Sequence, residues 1–149
     1  MVEYSEKLHE LLFPGFSEPD VNMLLSSMKK TGLNEGDILF SSGENGDSLF
    51  FVVQGRLAVQ KRTGFGDRTQ AVALLDPGAP VGERALAGVK KHGATLLAAK
   101  KTTLLSLSYQ SFADIKKDDP LLAVKLLELL LGKTSLRLEK SAERLSHVL

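Results

Sequence analysis

The sequence predicts a mainly β domain with helices before and after the strands. Leucines at helical spacing occur in residues 1–30 and again in 110–149, whereas glycines divide residues 31–109 into short runs rich in Leu, Val and Phe. Short strands at roughly ten-residue spacing favour an antiparallel sandwich or barrel. With 149 residues, of which 43% are hydrophobic, the chain is long enough to fold as one domain, 1–149.

Residues 1–30 predict two short helices. The first ends at Pro14, because proline followed by glycine stops a helix. Ser17 is the predicted N-cap of the second helix, which has Pro19 in its first turn and continues to about Lys30. Apolar side chains at helical spacing are predicted to face the core: Leu8, Leu11, Leu12, Leu24, Leu25 and Met28.

The central region, 31–109, has the composition of a set of β-strands. Each apolar run is bounded by glycine, proline or a polar turn, and turns that need a positive φ explain most of the glycines. These runs are predicted to form the sandwich or barrel. The runs of strand length are SLFFVVQG (48–55), RLAVQKR (56–62), TQAVALLDPG (69–78) and, for more than one strand, ATLLAAKKTTLLSLSY (94–109).

Helical periodicity returns after Tyr109. Residues 111–117 predict a short helix. Asp119 followed by Pro120 predicts the start of a long one, because acidic residues and proline are favoured in a first turn. Residues 121–131 are apolar on nearly all sides, so we expect them to be covered on more than one side.

The second half of the long helix carries an apolar seam. A helix of about 30 residues spans roughly 45 Å and would extend beyond a small barrel, so a partner helix explains the seam better than the domain's own core does. We therefore expect a homodimer formed through residues 120–149, with Gly132 as a possible bending point. The predicted seam consists of Leu131, Ser135, Leu138, Ala142, Leu145 and Leu149.

The composition argues against several classes of function. A formal net charge of +1 gives no overall attraction to nucleic acid or to a membrane surface. The chain has no cysteine, which excludes disulfides, thiolate catalysis and zinc–cysteine sites. No signal peptide is visible, and the longest apolar cluster, 121–131, is too short and too charged to span a bilayer. A cytoplasmic location without membrane contact is predicted.

No catalytic or metal centre is predicted. The histidines, His9, His92 and His147, lie in separate predicted elements, whereas a metal-dependent barrel enzyme needs several of them close together with a carboxylate. The motif Gly-x-Ser-x-Gly and the Walker-type phosphate loop are also absent. The sequence therefore predicts a non-enzymatic protein without a cofactor.

Three segments carry a more specific pattern. GDILFSSGENGDSLFFVVQGRLAVQKR (36–62) combines a Gly-Asp entry, a Gly-Glu-x-Gly-Asp turn and an aromatic-rich strand; LDPGAPVGERAL (75–86) and ATLLAAKKTTLLSLSYQSF (94–112) follow it. In this order the segments resemble the cyclic nucleotide-binding domain family, over roughly residues 10–149. The resemblance implies an antiparallel β-roll, a jelly-roll-like double-stranded β-helix, with N-terminal helices and a long C-terminal helix.

The resemblance also implies a phosphate cassette at residues 82–95. In the family, a short helix begins at a Gly-Glu pair and directs its backbone N–H groups at the cyclic phosphate. The glutamate accepts from the ribose 2′-hydroxyl, and an arginine at the far end of the cassette binds a phosphate oxygen. The predicted ligand-binding residues are Gly82, Glu83, Arg84, Ala85, Leu86, His92, Gly93, Ala94 and Thr95.

His92 departs from the family pattern, because it stands at the position of the arginine. A hydrogen bond to a charged group is worth roughly 1.5–3 kcal/mol, so its loss would weaken binding about ten- to a hundred-fold. An imidazole has a pKa of about 6.5 and replaces the arginine only when protonated. Binding through His92 is therefore predicted to strengthen as the pH falls. Arg84, Lys90 and Lys91 are nearby cations, but the family pattern does not require their side chains to point into the pocket.

Three functions remain open on the sequence. The first is a regulatory domain that binds cyclic AMP, cyclic GMP or another small anionic ligand with altered affinity. The second is a dimerising scaffold without a ligand, in which Glu83 is an ordinary first-turn acid and His92 an exposed loop residue. The third is a transcription regulator; because the sequence ends at Leu149 without a helix-turn-helix, no nucleic-acid partner is expected.

Overall fold

The computed structural model describes residues 2–62 and 69–149, which form a β-roll with helices on either side of it in the chain. The strands are β1 Lys29–Leu33, β2 Ile38–Phe40, β3 Ser48–Gln54, β4 Leu57–Arg62, β5 Thr69–Leu75, β6 Pro80–Val81, β7 Thr95–Ala98 and β8 Thr102–Ser108. The helices are α1 Glu6–Leu12, α2 Glu18–Ser26, α3 Tyr109–Asp118 and α4 Pro120–Val148, and a 3₁₀ helix covers Glu83–Ala87.

The strands form two four-stranded antiparallel sheets, with orders β1-β8-β3-β6 and β2-β7-β4-β5. Successive strands mostly belong to different sheets, so the chain passes back and forth between the two, as in a jelly roll. Strands β4 and β5 are neighbours within one sheet, with Leu57 opposite Leu75. The predicted β-roll is confirmed.

Alternation along the strands divides the apolar side chains between two cores. In β3, Phe51 packs between the first sheet and the helices, whereas its neighbour Val52 packs between the two sheets. In β8, Leu105 and Leu104 divide in the same way. The helix-side core therefore covers the outer face of the first sheet, and the face between the sheets is left to form the binding cavity described below.

Helices α2 and α4 begin where the sequence predicts, whereas α3 begins at Tyr109, two residues before the predicted 111. The Ser17 side chain accepts from the Asp20 N–H at 3.3 Å, and the Asp119 carboxylate accepts from the Leu122 N–H at 3.2 Å. Such caps satisfy backbone donors that have no partner inside a helix. The sharp junction at Asp119 separates α3 from α4 and allows α4 to run back along the roll.

Helix α2 is shorter than predicted. It ends at Ser26, and Lys29 and Lys30 belong to strand β1, so a helix continuing to Lys30 is wrong. Strand β1 pairs with β8, where Lys29 lies opposite Ser106. The backbone N–H and C=O groups of residues 29–33 are therefore paired with β8 and not within a helix. Both lysine side chains stay exposed.

Helix α4 continues through Gly132 without interruption. One face of its first half is buried in the helix-side core, together with residues of helices α1, α2 and α3 and of strands β3 and β8. The opposite face is exposed in the single chain, so the expected cover on more than one side is not present among the described residues. No helix in the described part of the chain has the length and hydropathy that a bilayer crossing requires. The exposed side chains of this half are Leu121, Val124, Leu127 and Leu131.

Candidate functional site

A cavity of about 220 Å³ lies between the 3₁₀ helix, the strands of the second sheet and helix α4. Its apolar wall comes from five strand residues of both sheets. A pocket with an apolar wall and a few polar groups is typical of small-molecule sites. The wall consists of Phe40, Val59, Leu75, Val81 and Leu96.

Gly82 sets the entry to the 3₁₀ helix. Its φ of 71° lies in the left-handed region, and a Cβ at this position would stand 2.8 Å from the Ser48 carbonyl oxygen. Glycine is therefore required both by the backbone conformation and by the close approach of β3. The Ala85 N–H donates to the Gly82 carbonyl at 3.1 Å, so the N–H groups of Glu83 and Arg84 have no partner inside the helix.

The polar lining of the cavity is predominantly basic. Lys61, Arg84, Lys91 and Arg137 contribute positive side chains, and Glu83 contributes a carboxylate. A concave surface lined mainly by one sign of charge attracts ligands of the opposite sign. The cavity is therefore suited to an anion that also carries groups able to donate a hydrogen bond to Glu83.

Arg137 brings helix α4 into the site. One guanidinium nitrogen lies 3.9 Å from the Glu83 carboxylate, and another donates to the Pro80 carbonyl. One turn earlier, Lys133 donates to the Gly78 carbonyl at 2.7 Å, and burial, together with the charge of Arg137, lowers the pKa of Lys133. Helix α4 is thus attached to the segment that leads into the cassette.

The predicted ligand-binding residues all lie in the cassette, and none was predicted in helix α4. A signal was available in the second half of α4, because basic residues recur there at alternating spacings of four and three. On a helix this spacing forms one face, and in the structure these residues line the grooves between α4 and β5. This basic face consists of Lys133, Arg137, Lys140 and Arg144.

His92 lies at the far end of the cassette with its ring packed against the protein. The imidazole is stacked on Phe40, with ring centroids 3.5 Å apart and planes 5° from parallel. A Cβ added to Gly46 would overlap this ring, so Gly46 provides its space. Burial lowers the pKa of His92; Glu44 opposes this shift and the positive charge of Arg84 adds to it.

The cassette residues do not all reach the cavity. Leu86 instead packs into the helix-side core, because an apolar side chain there finds the space beneath α3. Thr95 begins β7 and accepts from the Ser42 N–H at 3.0 Å; since strand side chains alternate, Ala94 and Leu96 line the cavity while Thr95 does not. The predicted residues that line it are Gly82, Glu83, Arg84, Ala85, His92, Gly93 and Ala94.

Within residues 2–62 and 69–149, no three His, Asp or Glu side chains gather closely enough to hold a metal ion. The described residues that line the cavity include no Ser, Thr or Cys and present positive charge, one carboxylate and an apolar wall. That the protein has neither a metal centre nor catalytic residues remains a prediction.

Comparisons with known proteins identify the family to which the sequence is similar. The sequence profile of the cyclic nucleotide-binding domain family matches residues 31–119. The cyclic AMP receptor protein of Thermus thermophilus is 30% identical over 119 residues, which are 80% of this chain and 55% of that protein. The chain thus spans about half the length of this curated relative.

Solved structures show the same fold. A cyclic nucleotide-binding domain from Methylobacillus flagellatus KT superposes with a TM-score of 0.86 at 26% identity, covering 97% of this chain and 81% of that one. The catabolite activator protein of Thermus thermophilus superposes with a TM-score of 0.72 at 28% identity, covering 91% of this chain and 62% of that one.

Proposed function

Because the chain belongs to the cyclic nucleotide-binding domain family, we propose that it is a non-enzymatic regulatory domain that binds cyclic AMP or cyclic GMP in the cavity beneath the 3₁₀ helix. The observation that carries the proposal is the basic cavity with Glu83 at its rim and helix α4 at its side. A cyclic nucleotide supplies what this lining lacks: one negative phosphate, a ribose hydroxyl for the carboxylate, and an apolar base.

Affinity for these ligands is altered by His92. The imidazole occupies the position at which the family's pattern has an arginine, and its lowered pKa leaves it neutral near pH 7. A neutral imidazole forms no charge-assisted contact with phosphate. Binding then depends on the other cations of the cavity, so its strength and its preference between anionic ligands differ from those of a domain that has the arginine.

The ligand signal passes to α4 through Arg137. This guanidinium contacts both Glu83 and the Pro80 carbonyl in the structure, so a ribose hydroxyl that engages Glu83 changes a contact of the helix. A ligand can shift α4 from one position to another only if it binds the two positions with different affinities. Arg137 provides this difference, because its contact with Glu83 changes when the ligand binds Glu83.

We also propose that α4 pairs with α4 of a second copy. Apolar residues recur every seven positions along it and are strongly exposed, and a seam with this spacing is buried by another helix that carries the same repeat. A second copy presents an identical seam, which a two-fold axis brings together. Of the predicted seam, Leu131 is 67% exposed, Leu138 72% and Leu145 57%, and Val124 (46%), which was not in the predicted seam, extends the same spacing by one repeat.

The exposed seam also favours a second candidate function, a dimerising scaffold that binds no nucleotide. Leu138 directly follows Arg137, so the seam lies about 100° around α4 from the side that carries Arg137. None of the seam leucines lines the cavity, so pairing through the seam does not require an occupied cavity. In this alternative, the neutral imidazole at His92 marks a cassette that retains its fold without its ligand.

Titration of the purified chain with cyclic AMP and cyclic GMP separates the two functions. For the ligand-binding domain, either nucleotide raises the melting temperature by several degrees at a hundred-fold excess over Kd, because a ligand that binds only the folded state adds about 2.7 kcal/mol there. AMP, which lacks the cyclic phosphate, is the control ligand. If the melting temperature is unchanged at millimolar concentrations of both cyclic nucleotides and the chain is dimeric by light scattering, the result would favour the dimerising scaffold over the ligand-binding domain.

A further inference from the structure

Arg84 reaches from the first turn of the cassette to its far end. Its side chain lines the cavity, and its Nη1 atom lies 3.2 Å from the place where a Cβ on Gly93 would stand. The guanidinium therefore lies over the Gly93 backbone, next to His92. Because Gly93 has no side chain, it leaves this space open, and a larger residue would push the guanidinium away.

The charge of Arg84 is available to a ligand. Among the described residues, the ion pairs are formed by Arg56, Lys125 and Arg137, and no carboxylate lies within 4.0 Å of the Arg84 guanidinium. Arg137, by contrast, is held by the Pro80 carbonyl. Arg84 is also exposed, so its side chain adjusts to an incoming anion without breaking an existing contact.

His92 does not provide this charge. Its ring is stacked on Phe40 and occupies the space that Gly46 leaves by having no side chain. The charged groups that face the ring are Glu44 and Arg84. Arg84 therefore has two effects at this end of the cassette: it brings a permanent positive charge, and it disfavours protonation of the imidazole. Arg84 and Gly93 together leave the cassette with a guanidinium although the arginine position holds a histidine.

We propose that Arg84 binds the phosphate of the ligand from the opposite end of the cassette, and that Gly93 makes room for it. The inference rests on the proposed function, because it assigns the phosphate contact within that site. A guanidinium presents two parallel N–H donors to phosphate oxygens and stays charged at every physiological pH. The site therefore keeps the chemistry of a phosphate arginine at a different sequence position.

The assignment is tested by calorimetric titration of cyclic AMP and cyclic GMP into the unaltered chain, Arg84→Gln and Arg84→Lys. Arg84→Gln is expected to weaken binding about ten- to a hundred-fold, the effect of losing a charge-assisted contact. Arg84→Lys is expected to retain part of the affinity, because the ammonium keeps the positive charge but lacks the two parallel N–H donors of the guanidinium. Lys90→Gln is the matched control, because Lys90 is an exposed cassette cation that does not line the cavity. This variant is expected to bind the cyclic nucleotides with unchanged affinity.

A second variant tests the geometry. Gly93→Val fills the space beside the Arg84 guanidinium and weakens binding, and adding Arg84→Gln to it causes little further loss, because the two substitutions remove the same contact. Melting temperatures of all variants without ligand establish that each is folded. Equal affinities for the unaltered chain and Arg84→Gln would overturn the assignment alone, whereas no binding by the unaltered chain would overturn the proposed function together with it.

Discussion

The imidazole of His92 lies flat on the phenyl ring of Phe40, with ring centroids 3.5 Å apart. This contact makes the residue at the arginine position part of the packing between the cassette and strand β2. The His92 backbone is held as well: its N–H donates to the Glu44 carbonyl at 2.9 Å, and its carbonyl accepts from the Gly43 N–H at 2.9 Å. The ring and its backbone thus join the cassette to the turn at residues 43–46.

The first prediction concerns the pH dependence of stability. The pKa of His92 lies below the usual 6.5 in the folded chain, so below about pH 6.5 the unfolded chain binds a proton that the folded chain resists. This contribution to the free energy of unfolding is fully present above pH 6.5 and is lost as the pH falls towards the folded pKa. In thermal unfolding between pH 7.5 and 5.5, the melting temperature of the native chain should fall more steeply than that of His92→Asn. Parallel curves would contradict the burial of the ring.

The second prediction concerns Gly46. A methyl group at this position would overlap the His92 ring, so Gly46→Ala should lower the free energy of unfolding by about 1–3 kcal/mol, the usual effect of overpacking. Gly32→Ala is the control, since a Cβ there meets no atom within 4 Å. In the double variant Gly46→Ala/His92→Ala the two losses should not add, because removal of the ring reopens the space. Additive losses in urea unfolding would refute the contact.

The third prediction concerns the attachment of α4. Arg137→Gln removes the guanidinium that bonds the Pro80 carbonyl and faces Glu83, and a lost hydrogen bond from a charged group costs about 1.5–3 kcal/mol before solvent screening reduces it. We expect a lower melting temperature and faster amide exchange in residues 78–83. Lys140→Gln lies one turn further along the same basic face and serves as the control. Identical exchange in the two variants would show that Arg137 does not hold the segment.

The fourth prediction concerns the oligomeric state. If the seam pairs with a second copy, Leu138→Glu places two charges opposite each other in an apolar interface and converts the dimer to a monomer, as measured by light scattering. Leu74→Glu is the control, because Leu74 on β5 is 54% exposed and lies outside the seam. A native chain that is monomeric at all concentrations, or a Leu138→Glu variant that remains dimeric, would rule out this interface.

The cassette shows how far sequence reasoning extends into the site. The motif predicted Gly82 and Glu83 as ligand-binding residues, and both line the cavity, since a left-handed glycine before an acidic first turn is a local requirement. It also pointed to His92 as the departure. It did not detect that Arg84 crosses to Gly93 or that Arg137 enters from α4, because both contacts join residues that no local spacing relates.

The sequence by itself determined the elements and their faces. Caps such as Ser17 and Asp119, and the alternation of apolar residues in β3 and β8, act within a few residues and are therefore legible in the chain. Only the tertiary structure decided where α2 gives way to strand β1, which apolar face of α4 stays exposed, and which cation stands beside Gly93. These outcomes depend on packing between distant segments, where the available space and the loss of water, rather than local propensity, set the free energy.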